Sequence, residues 1–186
     1  MPDINGIPYV ASGDLVSAYP TVSQDLAQEV SDQLATKLDA ADQKIIQVVR
    51  ATDASQRSTT STSFTDVNLS VTITPTKATS SVYLMAFVFV QQNRTTGTDS
   101  YGVLQITDNS NNAISGAEAT GIGEENYSFS GTTRFRNAAS LLAVSTPATT
   151  SATTYKLRFR SEVATTSTII RGNSSTSQLI AIEVGA

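Results

Sequence analysis

Beyond residue 64 the chain alternates between apolar and polar positions. In FTDVNLSVTIT (64–74), Val67, Leu69, Val71 and Ile73 share one side and Asn68, Ser70 and Thr72 the other. That period of two predicts a half-buried strand, and Pro75 stops it. TYKLRFRS (154–161) repeats the pattern, with Tyr155, Leu157 and Phe159 against Lys156, Arg158 and Arg160. SVYLMAFVFV (81–90) differs, because it is apolar on both faces. Such a strand is expected to be covered twice, by a second sheet and by a neighbouring subunit. SYGVLQIT, YSFSGT, ASLLAVS, STIIRG and QLIAIEV read as further strands, parted by DNSNN, TGIGEEN and TPATTSATT. Nine or ten short strands with polar turns predict a mainly β protein, a jelly-roll-like antiparallel β-sandwich over residues 44–186. No long repeat points to a propeller or solenoid.

The first 43 residues follow other rules. Residues 1–20 interleave turn signals (NG, IP, SGD, YP) with single apolar residues and show no period. This arm cannot build a core alone, and Ile4, Ile7, Tyr9 and Val10 are its candidate docking residues. A coiled-coil-type α-helix is predicted over 21–43, with Thr21 as cap and Gln24 three residues on as a capping box. Ala27, Val30, Leu34, Leu38, Ala41, Ile45 and Val48 recur at spacings of 3, 4, 4, 3, 4 and 3. Their mean is the coiled-coil period, so Val30, Leu34, Leu38, Ala41 and Ile45 are the expected contacts of a short parallel bundle with copies of the chain. KIIQVVRA (44–51) is β-branched and suits a strand equally well.

Composition narrows the chemistry. Charged residues are 15%, against about 25% in a typical globular domain. With no Cys, disulfides, zinc ribbons and thiol nucleophiles are excluded. With no His, the commonest base near neutral pH and the commonest metal ligand are missing too. A net charge of −4 predicts no attraction to nucleic acid or anionic membrane. No apolar run approaches the ~20 residues of a membrane span, and the N-terminus lacks the basic and apolar regions of a cleaved leader.

Three stretches carry a resemblance. VVRATDASQRSTTSTSFTDVNLSVTITPTKATSSVYLMAFV, TPATTSATTYKLRFR and the terminal LIAIEV resemble the C-terminal β-sandwich of many tailed-bacteriophage tail-fibre and minor tail proteins. MPDINGIPYVASGDLVSAYPTVSQDLAQEVSDQLATKLD is similar to the N-terminal arm and helix of minor structural proteins from phages of actinobacteria. The resemblance implies a homotrimer located in the virion, an arm (1–20) holding other virion proteins, a trimerising helix (21–43) and a distal head (44–186). It supplies no ligand residues.

The expected function is that of a non-enzymatic, trimeric tail fibre or minor tail protein binding a host-surface component. A head fibre or capsid decoration protein is the alternative, and a glycan depolymerase comes third. A glycosidase needs two carboxylates roughly 5–10 Å apart, one with a raised pKa, and no pair among Asp99, Asp108, Glu118, Glu124 and Glu125 is singled out. DNSNN has a calcium-loop flavour, but Ala113 and Ala119 stand where such a loop wants Gly and an acid, so a hairpin turn is expected and neither metal nor cofactor is. The sequons at Asn68, Asn93, Asn126 and Asn173 need no glycosylation to explain them in so hydroxyl-rich a chain. Gln92, Asn93, Arg94 and Tyr101 in QQNRTTGTDSYG, with Glu125 and Tyr127 in GIGEENYSF, are the candidate ligand residues. Planar hydrogen-bonding and aromatic groups suit the faces and edges of a bacterial cell-surface glycan. Lys156, Arg158 and Arg160, with Arg134 and Arg136, would put five cations on one face if their strands were neighbours; the expected role is scaffold, paired with acids such as Glu162 or Glu118.

Overall fold

The computed structural model describes residues 3–4, 7–8, 19–37, 44–94, 100–124, 133–170 and 175–185. They fall into two compact units, Met1–Gln43 and Lys44–Ala186. Strands make up 63% of the chain, so the protein is mainly β, with one helix among the described residues.

In the first unit, β1 (Asp3–Ile4) and β2 (Ile7–Pro8) pair antiparallel, Asp3 opposite Pro8 and Ile4 opposite Ile7. Tyr9 and Val10 lie outside the described residues. Helix α1 spans Tyr19–Lys37. It begins two residues before the expected cap, so Thr21 is inside the helix and Pro20 occupies the first turn. Proline fits there because its missing N–H would have no intrahelical acceptor and its fixed φ is helical. The bonds Gln28 Nε2 to Asp32 Oδ1 (2.8 Å) and Gln33 Nε2 to Glu29 Oε1 (2.9 Å) brace the polar side. Leu26, Val30 and Leu34 are 38%, 50% and 54% exposed, so the helix gains little from burial. Leu38 and Ala41 lie outside the described residues. Ile45 is not the last heptad position of a helix: it is the first residue of a strand, consistent with the β-branched run that follows it.

The second unit contains β3 (Ile45–Asp53), β4 (Arg57–Thr59), β5 (Thr65–Ile73), β6 (Ser81–Arg94), β7 (Ser100–Asp108), β8 (Ala113–Glu124), β9 (Thr133–Ser145), β10 (Thr153–Ser161), β11 (Ser167–Ile170) and β12 (Ser177–Val184). One antiparallel sheet has the order β5-β10-β7-β8. In the other, β6 pairs with β9 along one edge and with β12 and β11 along the other, and β3 and β4 lie outside these. The sheets curl into a half-barrel. Gly185 N–H donates to the Lys44 carbonyl (2.8 Å), tying the two ends of the unit together.

Both sheets share one core. Val67, Leu69, Val71 and Ile73 of β5 and Tyr155, Leu157 and Phe159 of β10 are buried, as their alternation predicts. They meet Val82, Leu84, Ala86, Val88 and Val90 of β6 and Leu179 and Ala181 of β12. Each fully buried Val, Leu or Phe contributes roughly 1.5–3 kcal/mol relative to an exposed one.

β6 runs further than the sequence pattern indicates, and β8 is a strand that the pattern did not indicate. β6 continues through QQNR because β9 and β11 flank it to the end, Arg94 opposite Thr133 and Asn93 opposite Ser167. β8 extends through GIGE, read as loop in the sequence, because β7 pairs with it there, Tyr101 opposite Gly123 and Ser100 opposite Glu124. The strand expected at YSFSGT (127–132) lies outside the described residues.

Candidate interaction surfaces

The basic stripe of β10 is engaged within the protomer. Arg158 donates from Nε to Asp66 Oδ1 (3.0 Å) and from Nη2 to the Phe64 carbonyl (2.7 Å). Lys156 Nζ lies 3.6 Å from Asp66 Oδ2 and donates to Asn111 Oδ1 (2.7 Å). Arg160 Nη1 sits 2.6 Å from Glu162 Oε2, with its guanidinium 5.3 Å from the centre of the Phe64 ring. Each such pair near the surface is worth about 0–1 kcal/mol. The five cations do not share a face, because β10 lies between β5 and β7 while β9, carrying Arg134 and Arg136, pairs with β6 in the other sheet. Glu162 was legible as a partner; Asp66 was not. A bulge brings Asp66 opposite Arg158: the register of β5 on β10 slips between Leu157 and Arg158, and Asn68 takes φ 61°. Asn tolerates that left-handed conformation better than most residues.

The candidate ligand residues separate. Gln92 is 2% exposed, and its Nε2 donates to Thr168 Oγ1 (2.7 Å). It crosses so close to Gly102 of β7 that a Cβ there would collide with Gln92 Nε2 and Thr168 Cγ2. Gln92 therefore serves the core and is withdrawn from a solvent-facing ligand set. Asn93 points the other way, in a chain in which Arg136 Nε donates to Gln91 Oε1 (2.9 Å) and Gln91 Nε2 to Asn93 Oδ1 (2.7 Å). Tyr101 is half-buried on β7. Arg94 ends β6, and nothing further is described of its side chain; Glu125 and Tyr127 lie outside the described residues.

Two of the acidic groups, Asp108 and Glu183, are held by hydrogen bonds within the protomer. Both oxygens of Asp108 are held by Asn112, Oδ1 by its N–H (2.9 Å) and Oδ2 by Nδ2 (2.8 Å), which lowers the Asp108 pKa. Asn111 at φ 70° completes a hairpin turn. Glu183 of β12 is fully buried beneath the connection between β5 and β6. Its Oε1 accepts from the Thr76 N–H (2.7 Å) and hydroxyl (2.9 Å), and its Oε2 from Gln47 Nε2 (2.6 Å). Burial opposes ionisation, but these hydrogen bonds outweigh it and hold the carboxyl at about 2, down from 4.5. A general acid needs the opposite shift. Glu183 instead clamps β3 and the β5–β6 connection onto β12.

Among the described residues, the outer face of β3-β12-β6-β9 carries most of the large exposed apolar side chains. Cross-strand register stacks it in rows: Val48, Ile182, Tyr83 and Val144 in one, Arg50, Ile180, Met85 and Leu142 in the next, then Thr52, Gln178, Phe87 and Ser140. Phe89 and Ala138 follow, and the face turns polar at Gln91 and Arg136. Ile45, Val48, Phe89 and Leu142 are 59%, 60%, 50% and 65% exposed. A groove of about 780 Å³ runs along Ile45, Tyr83, Met85, Leu142, Val144 and Ile182. The doubly apolar run 81–90 was the sequence signal for this face. The contributions of β9 and β12 gave none, because which strands flank β6 is a matter of topology. No protein-family model matches the chain, and no curated protein matches it in sequence.

Proposed function

We propose that the chain is a non-enzymatic structural protein of a bacteriophage virion, a homotrimeric tail fibre or minor tail protein whose head binds a host-surface component. The observation that carries the reading is the exposed apolar face of the head, which leaves the protomer incomplete. The sequence resemblance at both ends of the chain supplies the virion context. In this reading α1 forms a short coiled coil with copies of itself through Val30 and Leu34, whose exposure leaves them available for that packing. The head is jelly-roll-like. Its chain crosses between sheets at β4–β5, β5–β6, β6–β7, β8–β9, β9–β10 and β10–β11, which supports that topology. The arm docks on other virion proteins, and the ligand is a cell-surface glycan. Weak single sites would gain from three copies per fibre and several fibres per particle.

The test combines mass with adsorption. Light scattering of the whole chain is expected to give about three times 19.6 kDa, and the purified protein is expected to compete with phage for host cells. A monomer removes the trimer from the reading. Capsid loss on deletion of the gene points to a decoration protein, and release of soluble saccharide from host walls to a depolymerase.

A further inference from the structure

We propose that the outer face of β3-β12-β6-β9 is the contact between heads, that a second copy of this chain covers it, and that this contact holds the assembly together independently of α1. The inference rests on the homotrimer reading and names the surface that reading needs. Its extent comes first. The exposed fractions of Ile45, Val48, Tyr83, Phe87, Phe89, Leu142 and Val144 correspond to on the order of 700 Å² of apolar surface, beyond the ~300–600 Å² of the largest patch on a typical monomer and close to the ~800 Å² each partner contributes to a standard interface. The make-up agrees: aromatic residues and Met at the centre, polar Gln91, Arg136 and Arg134 at one end.

Charge then selects the mode of packing. The charged residues of this face are Arg50, Arg134 and Arg136, and among the described residues it bears no carboxylate. Two such faces laid on each other would bring like charges together in a drying interface, which is unfavourable. The remainder of the chain is more acidic than its net −4, so a cyclic arrangement, in which each face meets a different surface of the next copy, is complementary. Symmetry then closes the ring without an isologous contact. The only described large apolar side chains of α1 are Leu26, Val30 and Leu34, too narrow a stripe for a face four strands and about 14 Å wide.

The experiment uses the full-length chain, whose lack of Cys permits single-site labelling. Leu142→Glu with Val48→Glu changes side chains that are 65% and 60% exposed in the protomer, so circular dichroism and melting should persist. The dissociation constant for assembly should rise about 30-fold or more, the size of a hot-spot loss. Leu34→Asp alone should leave the assembly intact. Independently, Leu142→Cys should react with a maleimide at least about tenfold more slowly than Ala152→Cys, a solvent-exposed control position. A trimer that survives the face variants, or in which both cysteines label at equal rates, overturns this proposal and leaves the trimer standing. A wild-type monomer whose Leu142→Cys is protected overturns it differently, by showing that the chain's own N-terminal segment covers the face. A wild-type monomer that labels freely defeats the trimer and this interface together.

Discussion

β10 and β6 are alike on the inside and opposite on the outside. Both send every second residue into the same core, Tyr155, Leu157 and Phe159 from one, Val82, Leu84, Ala86, Val88 and Val90 from the other. Outward, β10 carries three cations that reach Asp66, Glu162, Asn111 and the Phe64 ring without leaving the protomer. β6 turns out Tyr83, Met85, Phe87 and Phe89, of which Tyr83, Phe87 and Phe89 are 39–50% exposed. The inward set determines that a strand forms and where it packs. The outward set determines what the strand is for, and a charged stripe invites a functional reading more readily than an apolar one. Here the charged stripe is internally satisfied and the apolar stripe is open.

The sharpest way to break this contrast is to make one substitution on each side. Leu157→Ala, at a side chain with no exposure, should cost about 2–5 kcal/mol in chemical denaturation of the protomer, the usual range for a buried Leu. Leu142→Ala should leave protomer stability nearly unchanged and act on assembly alone. Equal losses at the two positions would mean that the outer face is already packed within one chain.

Glu183 is next in size, and it holds β3 and the β5–β6 connection onto β12. Its folded pKa of about 2 lies below the ordinary 4.5, so ionisation favours the folded state. The stability this provides is fully present above pH 4.5 and is lost as pH falls towards 2; the shift corresponds to about 3 kcal/mol. Urea midpoints measured from pH 6 to pH 2 should therefore fall for the wild type. Glu183→Gln should be less stable near neutrality and have a flatter profile. A wild-type midpoint independent of pH across that window would remove the clamp.

Gly102→Ala should cost about 1–3 kcal/mol, because the added methyl group must displace Gln92 and Thr168 in a packed interior. Melting of the variant checks it, and an unchanged melting temperature would mean that Gln92 has another place to go.

How much of this was legible follows from what period and composition encode. Alternation exposes inward faces, so β5 and β10 were readable residue by residue, and the double apolarity of 81–90 pointed to a second cover. Strand length beyond that run was not readable: Gln91 to Arg94 are polar, and only the pairing of β9 and β11 on either side keeps them in β6. For the same reason Gln92 looked like a loop residue and is a core one. Ile45 looked like a heptad position because a seven-residue repeat and a strand both tolerate Ile-Ile-x-Val-Val; only the ladder with β12 decides it. Asp66 could not be matched to Arg158 without the bulge at Asn68, a backbone event with no periodic signature.

The smallest expected effect tests the other half of the contrast. Asp66→Ala removes the carboxylate shared by Lys156 and Arg158, whose side chains are 18% and 17% exposed while Asp66 itself is 42% exposed. Arg158 keeps its bond to the Phe64 carbonyl and Lys156 its bond to Asn111, so neither cation loses every partner. A double-mutant cycle of Asp66→Ala with Arg158→Ala should therefore give a coupling of about 0.2–1 kcal/mol. That coupling should shrink in 1 M salt, where the Debye length is about 3 Å. The complementary measurement is binding of an anionic cell-wall polymer to the wild type and to Arg158→Ala. A scaffold role leaves binding unchanged, because the guanidinium is already committed to Asp66 and the backbone. Loss of binding in Arg158→Ala, with protomer stability intact, would show that the cations can leave Asp66 for a polyanion, and the charged stripe would then be as open to partners as the apolar one.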